Sequence, residues 1–345
     1  MPGTDEMGVT IDEDLTVLHA IKPPGPDTTF ATQMLHSAPP GVTVTFFDWK
    51  NALHGHYDVL HIHWPEFLVR GVSKRDALLS LVRLPRLLRK LKRDRIGVVR
   101  TLHNLTPHES GHPLEARLTA ALDGRVHKYI ALNPVTTING ESPELILHGD
   151  YVERFSVHPR AVQQPGRVLY FGLVRPYKGI DTLIDRFAEI DTPGLSLRIV
   201  GRPNSDAMRR LVLQAEADDP RVSARLEFVA DKEMVAEVTA AQLIVLPYRE
   251  MHNSGILLVA LSLGRPVLTL DTPVNRSISQ EVGPGWIWFY TGELSSEIIE
   301  GTLEEVAALD RPGDAHPTFD SRDWASVGRK HGDVYRKARD MAKGR

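Results

Sequence analysis

Short apolar and β-branched runs recur along this chain, separated by segments long enough for a helix, and they fall into two series. The first series is Leu15–Ala20, Val42–Phe47, Val59–Ile62, Gly97–Leu102 and Lys128–Ala131. The second is Arg167–Phe171, Ser196–Val200, Arg225–Val229, Leu243–Leu246, Pro266–Leu270 and Ile287–Phe289. A strand that reads as a nearly unbroken hydrophobic run is covered on both faces, which is the situation of parallel strands between helical layers. Two such series predict two doubly wound α/β domains, and 345 residues suit two domains of ordinary size. The polar, proline-bearing stretch His158–Gly166 reads as the link between them. The expected division is therefore 1–158 for the first domain, 159–166 for the linker and 167–321 for the second domain. After a break at Asp310–Pro317, a last helical pattern over Arg322–Ala342 carries Trp324, Val327 and Tyr335.

Composition removes several alternatives. With 42% hydrophobic and 25% charged residues the chain is globular in type, and a net charge of -3 does not suit a general nucleic-acid binder. The absence of cysteine excludes a disulfide framework and thiolate chemistry, consistent with a reducing cytosol. No apolar run nears the roughly 20 residues that cross a bilayer. The first fourteen residues hold Asp5, Glu6, Asp12, Glu13 and Asp14, unlike a signal peptide, which has a basic start and an apolar core. A cytoplasmic location is the expectation.

The chemistry concentrates in the second domain. Phe171-Gly-Leu-Val-Arg-Pro-Tyr-Lys-Gly-Ile180 leads from a strand into a helical pattern, so Arg175 and Lys178 stand in a strand-to-helix turn between Gly172 and Gly179. Ligands of open α/β sheets bind at the carboxyl ends of strands, and a guanidinium and an ammonium three residues apart there suit a diphosphate. A second turn, Leu246-Pro-Tyr-Arg-Glu-Met-His-Asn-Ser-Gly-Ile256, follows another buried run. Here Asn253, Ser254 and Gly255 open a helix over Ile256–Leu263, a start that caps free amides and lets an anion approach the backbone. The helix stops at Gly264-Arg-Pro266.

In the first domain, Asp58-Val-Leu-His-Ile-His-Trp-Pro-Glu66 puts His61 and His63 on one face of a strand, where they invite a metal reading with His54 and His56. No third ligand at typical spacing is evident, and the expectation is no metal. Ser73–Gly97 carries nine Lys or Arg against two Asp, interleaved with leucines and interrupted at Pro85. Such a segment either buries its leucines and solvates its cations, or docks on an anionic membrane surface, where each cation contributes about 1 kcal/mol.

Gly172–Gly179, Pro247–Gly255 and Ala260-Leu-Ser-Leu-Gly-Arg-Pro-Val267 resemble the donor half of GT-B glycosyltransferases, in particular family 4. The resemblance implies two Rossmann-like domains facing across a cleft, with the last helix (322–345) crossing back to the N-terminal, acceptor-binding domain. It implies that Arg175 and Lys178 hold the donor diphosphate, helped by Ser254 and Gly255, with Gly172, Glu250 and Asn253 nearby. His103, at the end of Val98-Val-Arg-Thr-Leu-His103 and facing the cleft, is similar in place to the family's histidine near the transferred sugar, able to take the acceptor proton or bond the sugar. Glu109 is a second candidate base. Trp64 and Glu66 would border the acceptor pocket. The chain departs from the pattern at Val259, where many members carry the second Glu of a Glu-x7-Glu pair, and Glu250 lies one residue off the first.

The implied activity is transfer of a hexose from a nucleoside-diphosphate sugar to a glycan or lipid-linked acceptor, without metal or other cofactor. Trp-Pro-Glu together with His-Asn-x-x-Pro-His-Glu looks most like bacterial transferases of glycolipid or exopolysaccharide synthesis using GDP-mannose, with UDP-hexoses as the alternative donors. Two further readings stay open: a non-hydrolysing sugar-nucleotide epimerase and a non-catalytic sugar-nucleotide-binding subunit.

Overall fold

The structure, a computed structural model, describes residues 14–25, 29–70, 74–103, 113–138, 143–249, 255–309, 315–319 and 321–345. It divides into two compact units. The first runs to Leu132 and includes Thr136–Leu147 and Trp324–Arg345; the second takes Asn133–Val135 and His148–Asp323.

In chain order the first unit begins β1 (Leu15–Ala20), α1 (Thr29–His36), β2 (Val42–Phe46), α2 (Trp49–His54) and β3 (Val59–Ile62). It continues α3 (Pro65–Val69), α4 (Lys74–Arg93), β4 (Gly97–Leu102), α5 (Pro113–Asp123), β5 (Lys128–Ala131) and β6 (Glu144–Leu145). All six strands run parallel in the order β2-β1-β3-β4-β5-β6. β3 and β4 are buried along their whole length, as their unbroken apolar runs require.

The second unit holds α6 (Val152–Ser156), β7 (Arg167–Phe171), α7 (Ile180–Ala188), β8 (Ser196–Val200), α8 (Asp206–Asp218), β9 (Val222–Arg225) and α9 (Asp231–Ala240). It is completed by β10 (Leu243–Leu246), α10 (Gly255–Ser262), β11 (Val267–Leu270), α11 (Pro273–Val282), β12 (Ile287–Tyr290) and α12 (Ser296–Ala307). Its parallel order is β12-β11-β10-β7-β8-β9. Amphipathic spacing places α7: Ile180, Leu183 and Phe187 are buried at i, i+3 and i+7. α10 is apolar on every side, and Leu257–Ser262 are all buried. Val259, the position of the missing carboxylate, is part of that core.

The last helix, α13 (Trp324–Lys343), belongs to the first unit. Its Val327, Val334, Tyr335 and Ala338 pack with Leu15, Val17, Val59 and Val99. Gly97 makes this approach possible, because a Cβ there would meet the Ala338 backbone at 2.8 Å.

Three details differ from the sequence reading. Residues 148–158 belong to the second unit, not the first: the Tyr151 amide donates to Ser262 Oγ and Phe155 enters the second unit's core. The strand expected at Arg225–Val229 is Val222–Arg225 instead. Val222 is the buried residue and Phe228 is half exposed, so the apolar alternation of 225–229 marks a surface loop beside an edge strand. The two-residue β6 has no signal in its sequence. No helix among the described residues is long and apolar enough to cross a membrane.

Each sheet reverses its strand order once, between β1 and β3 in the first unit and between β7 and β10 in the second. The carboxyl ends at such a reversal are where open α/β sheets bind ligands. The described members of both sets of singled-out residues lie at or beside these two places.

Candidate active site

At the β7–β10 reversal the two turns are built against each other. Gly179 has φ +66°, and a Cβ there would meet the Pro247 carbonyl oxygen at 2.0 Å, so only glycine allows the contact. The Arg249 amide donates to Tyr177 O at 3.0 Å, tying the second turn to the first. Gly172 (φ +119°) is equally constrained, with Ile256 of α10 and Lys178 Nζ at 3.3 and 3.6 Å from the place of its missing Cβ. Gly172, Arg175, Lys178 and the start of α10 at Gly255 are thereby brought together. Ser254, Asn253 and Glu250 lie outside the described residues.

Lys178 ends the short turn Pro176–Lys178 and folds back into the protein, 9% exposed. Its Nζ donates to Tyr248 Oη at 3.1 Å and stands 4.6 Å from the centre of that ring. Burial, and secondly the charge of Arg175, push its pKa down to about 8. Arg175 Nε is buried with no hydrogen-bond partner among the described residues. A buried ammonium beside a guanidinium whose Nε is buried without a partner among the described residues is an electrostatic deficit that an anion would fill. Tyr248 is the residue the sequence reading missed here; its place directly after Pro247 was the only signal.

At the β1–β3 reversal the singled-out histidines form a connected run. The register pairs His19 with His61 across β1 and β3. His19 Nδ1 lies 3.0 Å from His63 Nε2, and His63 Nδ1 lies 3.2 Å from His103 Nε2. His61 Nδ1 is 2.8 Å from Tyr335 Oη and its Nε2 is 2.8 Å from Thr101 Oγ1. Tyr335 Oη also reaches His19 Nε2 at 3.4 Å. Burial first, and the neighbouring imidazoles second, depress these groups: His19 to about 3, His61 and His63 well below the usual value. All three are neutral imidazoles at physiological pH.

His103 itself is half-buried. The Trp64 ring stacks on it with centres 4.3 Å apart, and the Phe30 edge approaches at 5.3 Å. Trp64 keeps 38% of its surface exposed, so it is not a core residue. Glu66 opens the single-turn helix α3 two residues further on. Glu109 lies outside the described residues. His54 and His56 are not part of the cluster, and His19 takes the place they were considered for. His19, His61 and His63 offer nitrogens within 4.8 Å of one another, the spacing a metal could use. Both ring nitrogens of each lie within hydrogen-bond distance of another imidazole or a hydroxyl.

Another hollow of the second unit, of about 390 Å³, is lined by an ion-pair cluster of Arg167, Arg198 and Glu237, and Glu237 takes both arginines.

Comparison with known proteins bears on the family and the fold. Residues 165–302 match the family described as glycosyl transferases group 1. The chain is 42% identical over 325 residues to the GDP-mannose:glycolipid 4-beta-D-mannosyltransferase of Xanthomonas campestris pv. campestris, covering 94% of this chain and 93% of that one. Among solved structures, Anabaena HepE in complex with UDP and glucose matches with TM-score 0.60 at 14% identity, over 96% of this chain and 99% of that one. Sucrose-phosphate synthase from Thermosynechococcus elongatus matches with TM-score 0.56 at 14% identity, over 95% and 94%. The two parallel sheets are thus those of a GT-B enzyme, the architecture expected from the motifs. The chain belongs to the group 1 glycosyltransferases, and it is a glycosyltransferase.

Proposed function

We propose that this enzyme transfers mannose from GDP-mannose to the sugar of a glycolipid acceptor, with inversion and without a metal. The observation that carries this reading is the 42% identity to the Xanthomonas mannosyltransferase, which runs through both units. GDP-mannose is an α-glycosyl phosphate, so formation of a β-linkage, as in that relative's name, inverts the anomeric carbon. Direct displacement of this kind needs a base for the acceptor hydroxyl and stabilisation of the departing diphosphate.

The second unit supplies the latter. Lys178, Arg175 and the amide end of α10 at Gly255 would neutralise the charge that develops as the glycosidic bond breaks, the role a metal plays elsewhere. Ser254, Asn253, Glu250 and Gly172 are assigned to the same donor site by family resemblance. In the first unit, His103 would take the acceptor proton, or Glu109 in its place. Trp64 would pack on the acceptor sugar and Glu66 would bond its hydroxyls. The transition state is oxocarbenium-like, as for glycosyl transfer to water.

A cytoplasmic enzyme with a lipid acceptor would also benefit from docking on an anionic leaflet. α4 turns Leu84, Leu87 and Leu91 inward but leaves Leu78 and Val82 exposed at 65% and 50%. Arg86, Arg89 and Arg93 are exposed along the same helix. Sedimentation with anionic liposomes should exceed that with neutral ones and fall with salt; indifference to lipid charge would leave α4 as a solvated surface helix.

The test of the transfer itself is incubation with radiolabelled GDP-mannose and a glycolipid primer, with and without a chelator. Label should pass to the organic phase at an unchanged rate in the chelator. Transfer from UDP-hexoses in place of GDP-mannose, or loss of activity on chelation, would overturn the donor or the metal-free assignment respectively.

A further inference from the structure

The buried histidines do more than fill the β1–β3 reversal. Each neutral imidazole has one N–H and one lone pair, so a chain of them must be protonated in one consistent sense. If His103 donates from Nε2 to His63 Nδ1, then His63 Nε2–H donates to His19 Nδ1 and His19 Nε2–H to Tyr335 Oη. Tyr335 then donates to His61 Nδ1, and His61 Nε2–H donates to Thr101 Oγ1. In the opposite sense every proton moves to the other ring nitrogen.

The distances choose between them. Tyr335 Oη can donate to only one of its two imidazoles. It lies 2.8 Å from His61 Nδ1 and 3.4 Å from His19 Nε2, and hydroxyl donors make the shorter bonds. The hydroxyl proton therefore points to His61, which sets the first sense throughout.

We propose that His63 and His19 are positioning residues whose buried run, anchored by Tyr335, His61 and Thr101, dictates that His103 carries its proton on Nε2 and presents Nδ1 as its basic nitrogen. This inference rests on the reading of His103 as the base. When the acceptor hydroxyl gives its proton to Nδ1, the Nε2–H stays bonded to the His63 lone pair. The imidazolium then shares its charge with a polarisable chain, the service that a carboxylate gives the histidine of a hydrolase triad. The step balances: the anomeric carbon bonds to the acceptor oxygen as its bond to the phosphate oxygen breaks, the electron pair leaves with the nucleoside diphosphate, and the acceptor proton goes to Nδ1.

Nitrogen-15 spectra of the histidine rings test this on the intact wild-type enzyme. His103, His63, His19 and His61 should all be Nε2–H tautomers. His331, outside the chain, donates from Nδ1 to the Val327 carbonyl at 2.8 Å and should show the opposite tautomer, a built-in control. Nδ1–H tautomers for the four, or a mixture at His103, would overturn the proposal. So would one equivalent of zinc released only on denaturation, since the rings would then be ligands.

Variants add a kinetic readout. His63→Phe removes the acceptor and should release His103 into mixed tautomers, with kcat down about tenfold or more and the donor KM unchanged. His63→Gln offers an amide oxygen to the same N–H and should recover part of that loss. Equal loss in both, with the His103 tautomer unmoved, would reduce His63 to a packing residue. If His63→Phe does not fold, Tyr335→Phe removes the anchoring hydroxyl and should mix the tautomers from the far end. Should His103→Ala retain wild-type turnover, the base assignment fails, while the spectra still decide what sets the tautomer.

Discussion

The two strand-order reversals carry opposite electrostatics, although both bury ionisable groups. At β7–β10 the groups are cations, Lys178 and Arg175, set among glycines and the amide end of a helix. At β1–β3 they are imidazoles bonded to one another and to hydroxyls. Lys178 is pushed down only to about 8, so it sits near its titration point and becomes fully charged once an anion arrives. His19, His61 and His63 are driven so far below neutrality that they stay uncharged. On the proposed reading, one edge meets a charged leaving group and the other holds a proton in a chosen place.

The largest expected consequence of this contrast is on stability in acid. The folded pKa values of His19 (about 3) and His331 (about 4) lie below the ordinary 6.5, and His61 and His63 lie well below it. The unfolded chain therefore binds more protons below about pH 6.5. The stabilisation is complete above that value and is lost as pH falls from 6.5 towards the folded values. Each such group costs about 1.4 kcal/mol per pH unit over that window. All four are in the first unit; His148, pushed down to about 4, is in the second. Incubation across about pH 7 to 4.5, followed by pulse-labelled hydrogen exchange, should show the first unit opening before the second. Simultaneous opening would break the comparison.

How much of this was legible beforehand follows from distance along the chain. The strands were readable because a strand covered on both faces needs an apolar run, and β9 failed because an edge strand does not. Arg175, Lys178 and Gly255 were readable because strand end, turn and helix start are contiguous in sequence. His19 was not, because only the β1–β3 register places it beside His61. Tyr335 was further out of reach: it lies 274 residues from the histidine it bonds. A residue that acts through a tertiary neighbour leaves no local pattern.

The base and the diphosphate site differ next in the size of their kinetic effects. Removing a general base costs about 10²–10⁴ in rate, so His103→Ala should lose that much kcat with the donor KM nearly unchanged. Removal of one preorganised donor to a developing anion costs about 10²–10³, so Lys178→Met or Arg175→Met should fall by that amount. Steady-state kinetics with separate variation of donor and acceptor would tell them apart. Full activity in Lys178→Met or Arg175→Met would end the diphosphate assignment and leave His103 as the sole support.

The smallest effect is also the most discriminating, because it reads a single proton. In the free enzyme burial disfavours the Lys178 ammonium, and the charge of Arg175 adds to that. A bound diphosphate reverses the balance by pairing with the cation. Donor binding should then be flat with pH below about 8 and weaken about tenfold per pH unit above it, as a proton must be taken up with the ligand. Calorimetry in buffers of different ionisation enthalpy would count that proton directly. Because Arg175 helps to hold the Lys178 pKa down, Arg175→Met should move the onset to higher pH while lowering affinity overall. Tyr248→Phe, which removes the Nζ acceptor, should weaken binding without creating a second titration. The neutral histidines should contribute nothing in this range, since their proton count is constant above about pH 7. An affinity that holds level to about pH 9 would mean either that Lys178 does not meet the diphosphate or that burial does not hold its pKa near 8 in the free enzyme, and the proton count from calorimetry above about pH 9 separates the two.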